Sequence, residues 1–515
     1  MKKSSPPRTR SVKVNPVAVL NALPNAPGPQ SILSTLFIID PRSLAVFRIL
    51  LAALLLVDLM IRAMDMGGMY TDLGMFPRQV IHERYTTVWN WSFHTAGGSW
   101  GFQAFLFSVA AVLALAVLVG FKTRFAVVGS WLMLISLQNR VPPILNAGDD
   151  LCRMLLFWAM FLPLERSWSI DALEPRRRLG ATPVLSVASG AVLLQMAMMY
   201  LQSAFFKSTP DWFRGDVFAG TLAHDFYAKP AGAWLLQFPG LLSAMTLGVF
   251  VLEWIGPLLL FSPRCTARLR MAAIAGFAAM HLGIELSLNV GLFSWVSLAG
   301  LTLFLPAEFW QLRGLRRMVS PATEFQPSAK AEREQTTVFY GAQAICLFSL
   351  LYVIVINLAN LLGKSGAPTG PIGSRFLNTA CGLGQKWNMF EDTPSNDGWY
   401  VARAKLRDGS EVDLLKNGAP VDLNRPKDPA GLYPNHRWRK CFREMAYEDA
   451  KGFQVFRLPV SQFLCRRWNN QQPPEKQIAG FELIYNLEQA SRNEHGSKVE
   501  VTVHKRLLRL TPERL

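Results

Sequence analysis

The sequence predicts an α-helical polytopic membrane bundle of about nine spans, followed by a small C-terminal α+β soluble domain. Three observations carry this. Half of the 515 residues are hydrophobic and only 17% are charged, against about 25% in a typical soluble protein. Apolar runs long enough to cross a hydrocarbon core of about 30 Å as helices recur along the first two thirds of the chain. Basic residues gather in alternate loops, and the loops between are near neutral. A formal net charge of +17 would otherwise suggest nucleic acid. Its confinement to alternate loops assigns it to membrane topology, and no nucleic-acid partner is expected.

Residues 1–42 form a Pro-rich basic tail with Lys2, Lys3, Arg8, Arg10 and Lys13, and no cleavable signal peptide is visible. The membrane domain, 43–362, divides into candidate spans 43–64, 102–120, 125–137, 151–164, 183–206, 241–261, 270–283, 287–305 and 337–362. The short ones, 151–164 and 270–283, need flanking residues or local thinning. Lys122 and Arg124 follow the second span, Arg176–Arg178 the fourth, Arg264, Arg268 and Arg270 the sixth, and Arg313, Arg316 and Arg317 the eighth. With positive charge kept inside, the amino terminus is cytoplasmic and an odd span count exports the C-terminal region. The expected location is the cell (inner) membrane, multi-pass, with residues 363–515 facing the periplasm of a Gram-negative host.

Polar residues inside spans face a bundle interior. Arg48 and Asp58, ten apart in the first span, lie on different faces and are read as ion pairs to other helices. In "NAGDDLCRMLLFW" Asp150 and Arg153 are three apart and can pair. Acids here also suit a helix amino terminus; alternatively, Asn146, Asp149 and Asp150 line an outer cavity. Glu253 sits mid-span, one turn before Pro257, whose kink frees a carbonyl and suits a cavity wall. His281 and Glu285 are four apart on one helix face, either as a hydrogen-bonded pair or as part of a site. No metal site is expected, because no further ligands stand at His-rich spacing. Lys207 closes "YLQSAFFK" at the outer end of its span. It is either an anchor whose ammonium reaches the interface or a reactive group; a desolvated lysine can shed its proton and act as a base. The following "WFRGDVFAGTLAHDFYAKPAGAWLLQF" is too charged to span and too aromatic for a plain loop. An interfacial or re-entrant segment over the outer mouth is expected, with His82 and His94 on the same side.

After the "GKSGAPTGPIG" linker, "WYVARAKLRDGSEVDLL" reads as two strands around an Asp-Gly turn. "VEVTVHKRLLRL" reads as a further strand by alternation, and "HRWRKCFREMAYEDA" and "LPVSQFLCRRWNN" read as helices. Cys381, Cys441 and Cys465 fall in this exported domain, where one disulfide can form. No nucleotide-binding loop, nucleophile elbow or C-x-x-C pair is present. The lack of an obvious internal repeat weighs against a transporter.

Three stretches, "DPRSLAVFRILLA", "NAGDDLCRMLLFWAMFLPLERSWSID" and "HLGIELSLNVGLFSWVSLAG", resemble the HTTM family, whose membrane domain is shared with vitamin K-dependent γ-carboxylase. The resemblance spans about 41–305, with a weaker match in "GQKWNMFEDTPSNDGWYVARAKLRDGSEVDLL". It implies a reduced, vitamin K-like hydroquinone as cofactor, and a lysine near the outer end of a helix as the base that deprotonates it. Quinol epoxidation and glutamate carboxylation follow in that family. Lys207 matches this lysine in context. The resemblance also implies membrane lipid or quinone as partner and a protein substrate at the exported domain. Gly148-Asp149 stands where the carboxylase has a histidine, and the exported region is smaller. The alternative expectation is a non-catalytic membrane protein that binds a lipid or protein partner through its exported domain.

Overall fold

The computed structural model describes residues 32–85, 88–174, 183–224, 226–312, 329–363, 375–391, 396–446, 452–492 and 498–511. Residues 1–31 of the basic tail, the arginines at 176–178 and at 313, 316 and 317, and most of the Gly/Pro linker lie outside them. The first part of the chain is helical: α1 Pro41–Met64, α2 Trp100–Val119, α3 Thr123–Arg140, α4 Ala147–Ala159, α5 Val187–Phe206, α6 Pro239–Leu260, α7 Thr266–Ser287, α8 Phe293–Leu301 and α9 Ala329–Leu362. Six of these, α1, α2, α5, α6, α7 and the 341–362 part of α9, are long and apolar enough to cross a membrane. The chain is thus a multi-pass membrane protein by length and composition. Helices α3, α4 and α8 coincide with the remaining predicted spans and fail that test because they are shorter or more polar.

Local signals explain the helix ends. Asp40 caps α1, accepting the Arg42 N–H at 2.8 Å, and Pro41 fills the first turn, where no N–H is needed. Ser99 caps α2, and Gly120 ends it in the left-handed region at φ 70°. A Cβ on Gly120 would lie 2.3 Å from Ser169 Cβ and 2.8 Å from the Arg48 guanidinium, so this hairpin requires glycine. Asn146 and Asp149 form a reciprocal capping box on α4.

Helix α5 is central: 72% of its most apolar window is buried, against 22% for α7. Helix α4 is almost wholly enclosed, from Leu151 to Ala159. Arg48 does not make the predicted ion pair with any of the described residues. Its guanidinium donates to the carbonyls of Leu164 (2.9 Å), Ser167 (3.2 Å) and Trp168 (2.5 Å), which belong to the irregular stretch after α4 and have no helical partners of their own.

The C-terminal region forms an antiparallel sheet in the order β3-β2-β1-β4-β5, from β1 Asn396–Leu406, β2 Glu411–Asp413, β3 Ala419–Pro420, β4 Ile478–Arg492 and β5 Lys498–Leu510. Gly409, at φ 88°, makes the β1–β2 turn. Helices α10 His436–Ala446 and α11 Arg457–Asn469 accompany the sheet. Trp438, Phe442 and Phe456 of this region share one apolar core with Met69, Tyr70 and Phe76, which follow α1. The C-terminal region is therefore packed on the bundle rather than hung from it.

Cys441 and Cys465 are buried in that shared core, Cys381 is half-buried, and all six cysteines are free. Thiol titration of the denatured, unreduced chain is expected to return all six; a count lower by two would restore the disulfide expected from sequence.

Candidate functional site

One face of α5 carries Tyr200, Ser203 and Lys207, spaced three and four apart so that they line up along the helix. Lys207 ends α5, with its backbone N–H on the Ser203 carbonyl at 3.0 Å. Its side chain turns inward and is only 4% exposed. The ammonium nitrogen lies 2.5 Å from Glu253 Oε1 on α6. The Ser203 hydroxyl donates to the same oxygen at 3.4 Å. Trp212 presents its ring face 5.0 Å from Lys207 Nζ, and its own indole N–H is fixed on the Phe390 carbonyl at 2.9 Å.

Two turns deeper, the Tyr200 hydroxyl meets His281 Nε2 of α7 at 2.8 Å, and the Tyr200 ring stacks on Phe277 at 3.9 Å. Glu253 is 4% and His281 0% exposed. Glu253 Oε2 and His281 Nδ1 are buried without a hydrogen-bond partner among the described residues. Such atoms are costly in an apolar interior and call for a ligand, a water or a proton-transfer role. Lys207, Glu253 and His281 thus fall into one polar seam. Glu285 does not join it: its carboxylate pairs with Lys229 at 2.7 Å and fastens the 226–230 loop to α7.

Over this seam lies the stretch 382–390. Arg153 donates to the Gly382 (2.7 Å) and Gly384 (2.9 Å) carbonyls. Gln195 donates to Gln385 at 2.6 Å, and the Trp387 backbone N–H donates to Gln202 at 2.8 Å. Trp387 is fully buried. The glutamines of α5 therefore dock a segment more than 180 residues away in sequence.

A second polar cluster surrounds the start of α4. Asp149 accepts from Arg62 at 2.5 Å and from Arg437 at 3.0 Å; Asp58 accepts from the same two arginines at 2.7 and 2.6 Å. Arg62 also donates to the Tyr70 hydroxyl at 2.8 Å. Two buried cations thus balance two buried anions, and one of the cations comes from α10. Asp150 sits outside this set and pairs with Arg153 at 2.9 Å.

His436, next to Arg437, brings an imidazole to the Asn146 turn. A Cβ on Gly291 would stand 2.8 Å from His436 Nε2 and 3.1 Å from Asn146 Nδ2, so glycine leaves the room these two need. Burial and the Arg437 charge hold the His436 pKa down to about 4. Burial does the same for His94, also to about 4. A depressed histidine pKa means the unfolded chain binds more protons below about pH 6.5, so stability falls on acidification. Melting between pH 7 and pH 5 is expected to show this loss, and His436→Gln is expected to reduce it. Equal slopes for the two proteins would remove His436 from the account.

Sequence reasoning missed Arg437, His436 and the glutamine-docked Trp387. The helical reading of "HRWRKCFREMA" was available, but its partners on α1 and α4 were not. The HTTM domain model matches residues 38–310, slightly more than half of the chain. The chain belongs to the HTTM domain family. Comparison with curated proteins and with solved structures returned no match. The HTTM match contains Asn146, Asp149, Asp150, Lys207, Glu253, His281 and Glu285, whereas Trp387, His436 and Arg437 lie beyond it.

Proposed function

We propose that this HTTM protein is a membrane-embedded enzyme that uses Lys207 as a base on a reduced quinone. In this reading the bundle makes nine crossings, with the amino terminus cytoplasmic and residues 363–515 outside, so Lys207 sits at the outer, periplasmic mouth. The observation that carries the reading is the buried Lys207–Glu253 pair, with one carboxylate oxygen and a nearby imidazole nitrogen left unsatisfied.

The pair's chemistry supports it. In an apolar interior neither ion is solvated, so a neutral amine–carboxylic acid pair competes with the ion pair. A proton can then pass within the 2.5 Å hydrogen bond, and Lys207 Nζ can present a lone pair. Glu253 would hold and return that proton. Glu253 Oε2 and His281 Nδ1 offer two further points at which a ligand hydroxyl could bond, beside the rings of Trp212, Tyr200 and Phe277. Hydroxyl-bonding points beside aromatic rings are what recognition of a flat, apolar head with hydroxyls at opposite ends would need. A reduced naphthoquinone, oxidised by dioxygen to its epoxide, would supply the strong base that a carboxylation needs. The chain's own residues bind, orient and deprotonate it, and the 382–390 stretch excludes water.

A second reading, a non-catalytic protein binding a lipid or protein partner, draws support from how completely Glu253 closes on Lys207. Mass spectrometry of lipids copurifying with the chain separates the two. Enrichment of a quinone in wild type, lost in Lys207→Met, is expected; bulk phospholipid alone in both would favour the second reading.

A further inference from the structure

We propose that the cleft between the end of α11 and the 414–417 turn binds a short neutral saccharide, stacked on Trp468. This does not rest on the quinol reading. The cleft is open to solvent and has a volume of about 460 Å³, within the about 300–1,000 Å³ usual for small-molecule sites. Leu415, Leu464, Tyr433 and Trp438 form its apolar lining.

Trp468 is preset in this wall. Its indole N–H donates to the Lys476 carbonyl at 3.0 Å. A Cβ on Gly418 would stand 2.5 Å from the far edge of the ring, and Gly418 holds φ 86°, so glycine is what lets the ring seat there. Held at both ends, the half-buried ring is a stacking surface that needs little further ordering when a ligand arrives. With its N–H committed, the π-face is what it has left to offer.

Polar groups without protein partners stand around this ring. The side-chain amides of Asn417, Gln471 and Gln472 and the guanidinium of Arg467 line the cleft, and none of them bonds another group among the described residues. Each amide carries a donor and an acceptor in one plane. A pair of adjacent hydroxyls, each both donor and acceptor, completes that pattern. A pyranose ring joins such a hydroxyl rim to an apolar face of C–H groups, so it meets the amides and the indole together.

Other ligand classes fit less well. No carboxylate lines the cleft among the described residues, so an ammonium ligand finds no counter-ion there. Arg467 is exposed, so an anion gains little from it in water. An extended peptide gains little backbone pairing, because β3, the neighbouring sheet edge, has two residues and one is Pro420, which lacks an N–H.

The test uses the purified full chain in a detergent without a sugar head group, titrated calorimetrically with maltotriose, cellotriose, triacetylchitotriose and trialanine. At least one trisaccharide is expected to bind saturably and at least about tenfold more tightly than trialanine. Trp468→Ala is expected to weaken that sugar about tenfold, the scale of one aromatic stacking contact, whereas Trp468→Phe, which keeps a ring, should retain most of the affinity. Gln472→Leu should weaken it several-fold through its lost hydrogen bonds. Arg403→Gln, in an exposed pair with Glu411 on the sheet, should leave it unchanged. The proposal is overturned if none of the trisaccharides binds, if trialanine binds as tightly as the sugars, or if a folded Trp468→Ala keeps wild-type affinity. The comparison among ligands is read on the wild-type chain, so it decides even where a variant fails to fold.

Discussion

Arg437→Ala is expected to cost about 3–5 kcal/mol of stability, because it leaves buried acids short of a cation. Asp58 and Asp149 are each at most 7% exposed and share Arg62 and Arg437. Without Arg437 the cluster carries one uncompensated negative charge, and α10 loses its anchor on α1 and α4. The variant should melt well below wild type, and protease should release the C-terminal region at lower concentrations. Arg403→Ala is the control. Its ion pair with Glu411 is 39% and 38% exposed and should contribute no more than about 1 kcal/mol. Arg437→Ala behaving like Arg403→Ala would mean the acids find water or another partner, and the C-terminal region would have to be held by apolar contact alone.

The Lys207–Glu253 pair is expected to show strong coupling. Lys207→Met alone leaves Glu253 buried without its partner, and Glu253→Leu alone strands the ammonium; each should cost about 3–5 kcal/mol. The double variant removes both charges and should recover most of that loss, because an apolar pair of similar volume suits an interior position. Thermal unfolding of the four proteins in one detergent measures the coupling. Additive losses would mean that the two residues do not depend on each other in solution. Recovery of stability without recovery of activity would mark the pair as retained for chemistry.

Much of the bundle was legible because hydrophobic length is a one-dimensional signal. The six longest apolar helices follow directly from composition, and Asp40, Ser99 and Asn146 announce helix starts with side chains that cap them. Strands β1, β2 and β5 and helices α10 and α11 were also readable from alternation and turn chemistry. The interior strand β4 was not. In "IAGFELIYNLEQASR" Phe481 and Leu483 join one apolar cluster and Ile484 another with Trp399 and Val401, and a register shift falls between Leu483 and Ile484, so the apolar residues do not alternate cleanly with polar ones. Within the site, Lys207 and Glu253 each stood out as a charge in an apolar run, but their pairing across 46 residues is a tertiary fact. His281 and Glu285 show the limit of spacing: one helix face holds both, yet one bonds Tyr200 and the other Lys229. Arg437 was the hardest to foresee, since a basic residue on an amphipathic helix ordinarily faces water, and its partners lie 288 or more residues away.

The central claim is that Lys207 acts as a base rather than as an anchor. Lys207→Arg tests it, because arginine keeps charge and reach but does not give up its proton near neutral pH. The measurement is oxygen-dependent conversion of a reduced naphthoquinone to its epoxide by the purified chain, wild type against Lys207→Arg, with matched folding confirmed by melting. The account predicts conversion by wild type and loss of at least about a hundredfold in the variant, the scale of removing a general base. Equal conversion by a folded Lys207→Arg would contradict it and leave Lys207 as a structural anchor, and so would the absence of conversion by wild type.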